Sequence, residues 1–299
     1  MPLTAEEFEA HRPRLFALAY RMLGSASEAE DVVQDAYLRA SEEKEIRDPR
    51  AFLMTVTTRL CLDRLEAART VREKYIGPWL PEPILQQPSD GAGEQRAERA
   101  ESVAMAMLVM LETLSPLERA VFLLREAFEY PYDEIGAILG RSAAACRQAY
   151  HRARAHLDAQ RPRFRAPPEQ QRRLVTRFLE AARDGDLAAL TGMLATDVVS
   201  WADGGGAVPA APRPVHGAPA VARLMAGLAK KVARRGIDQF ALDWVNGEPA
   251  LLSWEDGRLS TVLVFESDGE RIVAIRIVRN PAKLAYLAAR VSPPDAAVA

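Results

Sequence analysis

The sequence predicts a multidomain protein in which two all-α domains are followed by an α+β domain. Over the first half of the chain, apolar residues recur at spacings of three and four, which is typical of amphipathic helices. A proline-rich stretch divides this half into two parts. From about residue 237 the pattern changes to β-branched and aromatic runs separated by Asn-Gly and Asp-Gly pairs, which predicts strands joined by tight turns.

The composition excludes several classes of protein. With 48% hydrophobic and 27% charged residues, the 299-residue chain is globular and not disordered. Cys61 and Cys146 are too few for a disulfide framework, and no Cys/His cluster has zinc-site spacing, so we expect reduced thiols, no metal and no cofactor. Because the sequence shows no signal peptide and no apolar run of roughly 20 residues, we expect a cytoplasmic protein without a membrane span.

The first predicted domain, residues 1–75, is a bundle of short helices. Thr4 with Glu7 and Ser25 with Glu28 have the capping-box spacing that starts a helix. Residues 1–45 carry five basic and ten acidic side chains, whereas residues 46–75 carry seven and four. The basic end is suited to a nucleic-acid backbone. The acidic helix around Asp31 and Asp35 is either a protein-docking face or solvated surface.

Residues 76–96 are predicted to be a proline-rich linker, since Pro78, Pro81, Pro83 and Pro88 remove backbone donors. The start of this segment, Tyr75-Ile-Gly-Pro-Trp-Leu-Pro, is unusually apolar for a tether. It either docks on a partner or a neighbouring domain, or merely covers the first bundle, and the sequence does not decide between the two.

The second domain, residues 97–165, is predicted to contain a helix-turn-helix. Ser115, Pro116 and Glu118 combine an N-cap, a first-turn proline and a capping-box glutamate. A short helix over 133–139 is followed by a glycine turn and a helix over 143–157 that Ser142 can cap.

The last of these helices has two different faces. We expect Ala145, Ala149, Ala153 and Leu157 to form its buried stripe. Arg and Gln side chains on the other face can contact guanine and adenine edges. Such a face is often only solvated surface. DNA binding is favoured here because residues 141–165 carry seven arginines against one aspartate and because the helix is the second of a helix-turn-helix.

The third domain, residues 166–290, is predicted to be α+β and is followed by a tail, residues 291–299. Helices are expected over 170–182 and 218–232, and strands over 250–254, 259–266 and 271–279. This order predicts helices on one face of a curved antiparallel sheet.

Several segments resemble a known family. Tyr20-Arg-Met-Leu-Gly, Ala29-Glu-Asp-Val-Val-Gln-Asp-Ala-Tyr-Leu-Arg39 and Thr57-Thr-Arg-Leu-Cys-Leu-Asp-Arg-Leu65 resemble region 2 of extracytoplasmic-function (ECF, group IV) sigma-70 family sigma factors. The segment from Leu114-Ser-Pro-Leu-Glu-Arg to Arg154 resembles region 4.

Three further segments resemble the members that carry a SnoaL-like, nuclear-transport-factor-like C-terminal extension, which is a cone-shaped α+β domain. They are Tyr75-Ile-Gly-Pro-Trp-Leu-Pro-Glu-Pro83, Trp201-Ala-Asp-Gly-Gly-Gly206 and Asn280-Pro-Ala-Lys-Leu284. The family pattern has Lys and Asp where this chain has Ala207 and Ala282, so two charges are missing.

The resemblance implies an alternative sigma factor that directs promoter recognition and transcription initiation and is not itself an enzyme. Its partners would be promoter DNA and the clamp helices and flap of core RNA polymerase, and the free chain would be a monomer. The residues implied in polymerase binding are Asp31, Gln34, Asp35 and Leu38. Those implied at the minus-ten element are Arg47, Arg50, Phe52, Arg59, Asp63 and Arg64. Those implied at the minus-thirty-five element are Ser142, Arg147, Gln148, His151, Arg152 and Arg154.

The C-terminal domain has two competing interpretations. In the first it regulates the sigma factor, with an unidentified small ligand in its pocket as an option, through Trp79, Trp201, Asp203, Gly204, Gly205, Gly206, Asn280, Pro281 and Lys283. In the second it is a small-molecule enzyme or sensor, for which the acid-base candidates are Asp203, His216, Asp243 and Glu255. Asp203 is also a plausible turn residue that accepts backbone amides. An ordinary dimeric repressor with a sensor domain would leave the first helical domain unexplained.

Overall fold

The computed structural model describes residues 3–72, 75–87, 104–158, 166–237 and 239–294. They form two compact units. The first contains the described residues of 3–72 and 104–158, and the second contains 75–87 together with those from 166 onward. The predicted boundary between residues 96 and 97, the end of the second predicted domain and residues 295–299 of the tail lie outside the described residues. Within them, no helix is both long and apolar enough to cross a bilayer.

The N-terminal part of the first unit is the predicted helical bundle. Its helices are α1 (Ala5–Leu23), α2 (Ala26–Glu42) and α3 (Pro49–Arg72). Thr4 and Glu7 form a complete capping box at the start of α1, and Ser25 caps α2. Gly24, with φ 68°, ends α1 in the left-handed conformation that glycine adopts without a steric cost. These signals were readable because caps act over only four residues.

The C-terminal part of the first unit is the predicted helix-turn-helix. It consists of α4 (Met105–Leu111), α5 (Pro116–Glu126), α6 (Tyr132–Leu139) and α7 (Ala143–Asp158). Gly140, with φ 63°, turns the chain after α6. A Cβ on Gly136 would lie 2.6 Å from the carbonyl oxygen of Arg141, so only glycine permits this tight turn. One core prediction was wrong: Ala145 is exposed, and Cys146 lies in the buried stripe beside Ala149.

The second unit is an α+β domain, so the predicted fold class is confirmed. Its helices are α8 (Pro168–Asp184), α9 (Leu187–Met193), α10 (Ala218–Arg234) and α11 (Pro281–Ala288). Its strands are β1 (Leu194–Asp203), β2 (Val215–His216), β3 (Gln239–Val245), β4 (Glu248–Glu255), β5 (Arg258–Ser267) and β6 (Ile272–Val278).

The six strands form one sheet in the order β2-β1-β6-β5-β4-β3. The expectation of a purely antiparallel sheet was wrong, because β1 pairs with β6 in parallel. Strand β1 was not predicted: it begins at the residue after α9 ends, and the nearby Gly192 lies inside the last turn of α9 and not between the two elements. One apolar cluster joins α8, α9 and α10 to the sheet, with Phe178 and Phe265 fully buried in it. The parallel pairing brings the ends of β1 and β6, Asp203 and Val278, into register.

Candidate functional site

The outward face of α7 presents the side chains predicted to bind the minus-thirty-five element. Arg147, Gln148, His151, Arg152 and Arg154 are all exposed. The hydroxyl of Ser142 accepts a hydrogen bond from the backbone NH of Ala145, which caps the helix. The buried side of α7 holds this face outward through Cys146, Ala149, Ala153 and Leu157.

Two of these arginines have partners within the first unit. Arg152 donates to a carboxylate oxygen of Glu118 over 2.8 Å, and Arg154 donates to the Tyr150 hydroxyl over 3.2 Å. Burial alone raises the pKa of Glu118, but its hydrogen bonds with Arg152 and Ser115 lower it overall. The Arg147 guanidinium lies 5.7 Å from the Tyr132 ring centroid. The ion pair of Arg152 orients that side chain and makes it less available than Arg147 to a nucleic acid.

The predicted minus-ten residues lie on α3 and on the loop before it. Arg47, Arg50, Arg59 and Asp63 are exposed, and Phe52 is half-buried. Two of the arginines contact the helix-turn-helix part of the same unit. Arg59 donates through Nε to the carbonyl oxygen of Ile138 over 3.1 Å, and the Arg50 guanidinium lies 5.7 Å from the Tyr130 ring centroid. These contacts engage two of the guanidinium groups that the sequence predicts to bind DNA.

Arg64 joins the predicted minus-ten residues to the predicted polymerase-binding residues. Its guanidinium lies 2.8 Å from a carboxylate oxygen of Asp35 and 3.7 Å from one of Asp31. It also donates to the carbonyl oxygen of Glu28 over 3.0 Å. On α2, which carries Asp31 and Asp35, Gln34 is exposed and Leu38 has 58% of its surface exposed. An exposed leucine beside carboxylates is suited to a protein partner.

In the second unit, a buried ion pair fastens the predicted linker to the C-terminal domain. Asp203, at the end of β1, is fully buried, and the Lys283 ammonium on α11 lies 2.7 Å from its Oδ2. The backbone NH of Leu80 donates to the same oxygen over 2.9 Å. The Tyr75 hydroxyl donates to Oδ1 over 2.6 Å, and the NH of Gly205 donates to it over 3.0 Å. Asp203 therefore does more than shape its own turn.

Aromatic side chains of the linker surround Lys283. Its ammonium lies 4.1 Å from the Trp79 ring centroid and 4.7 Å from that of Tyr75, which is cation–π distance. It also donates to the carbonyl oxygen of Leu80. Burial, followed by the hydrogen bond to Asp203, raises the pKa of Tyr75, so its hydroxyl stays protonated and remains a donor.

The two predicted motifs of the C-terminal domain meet at Tyr75. Asn280 caps α11 by accepting from the NH of Ala282, and its side-chain nitrogen donates to the Tyr75 hydroxyl over 2.9 Å. Gly205 has φ 59°, and a Cβ there would lie 2.1 Å from the Asn280 side chain. A Cβ on Gly206 would lie 2.9 Å from Ile76, whereas one on Gly204 would meet the Val208 carbonyl oxygen at 2.3 Å. Side chains at these glycines would push the motifs apart.

Further along, the linker pairs with β3 through its main chain. The NH of Asn246 donates to the carbonyl oxygen of Ile84, and the NH of Gln86 donates to that of Trp244, both over 3.0 Å. The Asn246 side chain accepts from the NH of Ile84 over 3.3 Å. Two residues of this site were not predicted. Tyr75 belongs to the predicted linker motif but not to the predicted site residues, and the pair Asn246-Gly247 predicts only a turn.

The remaining predicted regulatory residues have other surroundings. Trp201 packs against the Arg276 guanidinium, which lies 5.0 Å from its ring centroid, and burial lowers the pKa of Arg276 to about 10. Pro281 is exposed at the start of α11. Ala207 and Ala282, where two charges are missing, are both exposed. The absent charges therefore leave the buried ion pair untouched.

The four acid-base candidates do not converge on one site. Asp203 forms a buried ion pair with Lys283, and His216 is exposed on β2. Asp243 accepts from the NH of Trp244. Of the four, Glu255 alone lines the cavity of about 650 Å³ between the helices and the sheet. Within the described residues, no cluster of His, Cys, Asp and Glu side chains is arranged to hold a metal ion.

The fold and these surfaces define a helix-turn-helix DNA-binding protein with a second, linker-holding domain. The chain matches the family descriptions "Sigma-70 region 2" over residues 8–70 and "Sigma-70, region 4" over residues 104–157. These ranges cover the predicted DNA- and polymerase-binding residues of the first unit.

Relatives extend the match to most of the chain. "ECF RNA polymerase sigma factor SigJ" of Mycobacterium tuberculosis (strain ATCC 25618 / H37Rv) is 39% identical over 250 residues, which is 82% of this chain and 80% of that protein. "Probable ECF RNA polymerase sigma factor SigI" of the same strain is 34% identical over 283 residues, 93% of each chain. The crystal structure of Mycobacterium tuberculosis SigJ superposes with a TM-score of 0.74 at 32% identity, covering 94% of this chain and 98% of that one.

The chain belongs to the ECF family of RNA polymerase sigma factors. It is an alternative sigma factor, a transcription initiation factor that acts with RNA polymerase in promoter recognition. The family resemblance found in the sequence is confirmed.

Proposed function

We propose that the C-terminal domain sets the output of this sigma factor by holding the segment that joins its two DNA-binding regions. The observation that carries the proposal is the fully buried Asp203, whose carboxylate binds Tyr75, Leu80 and Lys283 together. A buried carboxylate that loses its partners is costly, so the segment is held or released as a whole. The joining segment determines how easily two linked modules reach their separate sites.

In this proposal each of the two DNA-binding regions binds a different promoter element. The exposed arginines of α7, with Gln148 and His151, bind the minus-thirty-five element in the major groove, and Ser142 binds a phosphate at the helix start. Arg47, Arg50 and Phe52 capture a flipped base of the minus-ten element, and Arg59, Asp63 and Arg64 face the melted strand. Unstacking a base costs a few kcal/mol, which pocket contacts and phosphate neutralisation offset.

The face of α2 binds the clamp helices of core polymerase, and region 4 binds the flap. Asp31, Gln34, Asp35 and Leu38 form the α2 face. The ion pairs of Arg64 with Asp31 and Asp35 bring the polymerase face next to the minus-ten face. Polymerase binding can therefore reposition Arg64 at the same time. The free chain is a monomer in the cytoplasm, and size-exclusion chromatography tests the monomer directly.

Run-off transcription with core polymerase tests this function. The full chain is compared with a version that ends at residue 165 and therefore lacks the domain that holds residues 75–87. We expect both to bind core enzyme and to initiate, with different outputs. Equal output at equal core binding would contradict the regulatory role, and the absence of initiation by either version would contradict promoter recognition.

A ligand in the cavity of the second unit is part of the proposal, since its volume lies in the range of small-molecule sites. No observation favours a fused enzyme over this regulatory role, because the acid-base candidates are scattered over the domain.

A further inference from the structure

The cavity of the second unit has an apolar floor that the register of the sheet builds. Leu242 pairs with Leu251, Leu251 with Leu263, and Leu263 with Ile277, so four strands contribute one continuous aliphatic row. All four side chains line the cavity, and Phe178 of α8 and Met225 of α10 line it from the helical side. This row can accommodate a hydrocarbon chain or ring.

The next row on the same face begins with an aromatic side chain and continues with polar ones. Phe240 pairs with Ser253 and Ser253 with Thr261, and Arg279 follows β6 beside Thr261. The Arg279 guanidinium donates through Nε to the Thr261 hydroxyl over 3.3 Å and through Nη1 to the carbonyl oxygen of Pro209. Its Nη2 has no hydrogen bond to any residue that the structure describes. Arg279 is therefore oriented by two bonds, with a third donor group remaining.

The charges that line the cavity favour an anion. Five cationic side chains line it, and the two carboxylates are Glu180 and Glu255. Glu255 is itself 3.2 Å from the Arg235 guanidinium. The cationic lining residues are Arg183, Lys230, Lys231, Arg235 and Arg279. A positive excess over an aliphatic floor fits a molecule with one acidic group and an apolar body.

We infer that this cavity binds a hydrophobic monocarboxylate, whose carboxylate contacts Arg279 and whose apolar body lies on the row from Leu242 to Ile277. A planar guanidinium suits a carboxylate because it can offer two parallel donors. The inference deepens the ligand part of the proposed function and depends on that proposal only for its regulatory consequence.

The position of Arg279 connects this site to the buried ion pair. Its backbone NH donates to the carbonyl oxygen of Asp203 over 2.8 Å, and the NH of Asn280 donates to the same oxygen over 3.0 Å. A carboxylate that moves Arg279 therefore acts on the paired ends of β1 and β6, where Asp203 ends β1 and Asn280 follows β6. Ligand binding in the cavity can by this route change how firmly Asp203 and Asn280 bind residues 75–87.

Calorimetric titration of the full chain with dodecanoate, below its micelle concentration, tests the inference. We expect saturable one-to-one binding with a Kd on the order of micromolar. Arg279→Gln should weaken it at least about tenfold, as expected for a lost charge-assisted hydrogen bond. Arg223→Gln is the matched control, because Arg223 is exposed on α10 and does not line the cavity. It should leave the Kd unchanged.

Two probes of equal chain length keep the test independent of variant folding. On the wild-type chain, dodecanol and the dodecyltrimethylammonium cation should bind at least about tenfold more weakly than dodecanoate. Equal binding of all three probes, or no binding of dodecanoate, would overturn the inference. So would an unchanged Kd for a folded Arg279→Gln variant.

The same titration separates this site from the proposed function. If dodecanoate binds as expected but run-off transcription by the full chain does not respond to it, the carboxylate site is supported and its regulatory role is contradicted.

Discussion

The two units of this protein use their charged residues in opposite ways. In the first unit the cations predicted to bind DNA lie on the surface, such as Arg147 on α7 and Arg47 before α3. In the second unit the decisive charges are buried, since the side chains of Lys283 and Asp203 are 9% and 0% exposed. The exposed cations remain available to an external polyanion. Asp203 and Lys283 instead bind each other and the chain's own residues 75–87.

This difference determines what each unit can do. Exposed ion pairs contribute little to stability, typically below 1 kcal/mol, so the surface of the first unit can exchange partners freely. A buried pair is sensitive to the loss of either member. The second unit is therefore suited to holding a segment in one position, and the first to binding and releasing DNA and polymerase.

The largest expected effect comes from Lys283→Met. It removes the only ion-pair partner that the described residues give the buried Asp203, and the free energy of unfolding of the second unit should fall by about 3 kcal/mol. Urea unfolding followed by tryptophan fluorescence measures this. The control is Arg223→Met on the exposed face of α10, which should change stability by less than about 0.5 kcal/mol. Equal effects of the two variants would show that the buried pair contributes no more to stability than an exposed charge of the same unit.

A smaller effect is expected from Gly205→Ala. The alanine would have to adopt a left-handed backbone conformation, and its Cβ would also clash with Asn280. We therefore expect the free energy of unfolding to fall by about 2 kcal/mol. Gly257→Ala is the matched control, because Gly257 has φ 71° with nothing within 4 Å of an added Cβ. Thermal unfolding of both variants isolates the clash, and identical melting temperatures would argue against the contact with Asn280.

On the DNA-binding side, Arg147→Ala should lower affinity for duplexes that the wild-type chain selects from a random pool. We expect a loss of about 1.5 kcal/mol if Arg147 contacts a base edge, with relaxed preference at one position. A uniform loss with a shallower salt dependence would indicate a phosphate contact instead. Arg223→Ala, on the second unit, should leave affinity unchanged. An Arg147→Ala variant that binds like wild type would show that the exposed face of α7 is only solvated.

The smallest effect is expected from Tyr75→Phe. It removes one hydroxyl that links Asp203 to Asn280, and Asp203 keeps its bonds with Leu80, Gly205 and Lys283. A loss of about 1 kcal/mol in unfolding free energy should result. Tyr37→Phe, at a residue with 39% of its surface exposed, should cost less. If denaturation midpoints rank the two variants the other way, the Tyr75 bonds carry little energy.

What the sequence could predict follows from the range of each interaction. Helix caps such as Ser115 with Glu118 act within four residues, and the structure has them as predicted. Strand β1 escaped prediction because no turn residue separates it from α9, and its parallel partner β6 lies far along the chain. The bond between Tyr75 and Asp203 spans 128 residues, so the motifs were visible but their pairing was not.

Hydrogen exchange of residues 75–87 in the full wild-type chain tests most directly whether the C-terminal domain holds this segment. The amides of Leu80, Ile84 and Gln86 donate to Asp203, Asn246 and Trp244, so they should exchange at least about a hundredfold more slowly than in an unstructured peptide. Exchange of all three amides at the peptide rate would contradict the account.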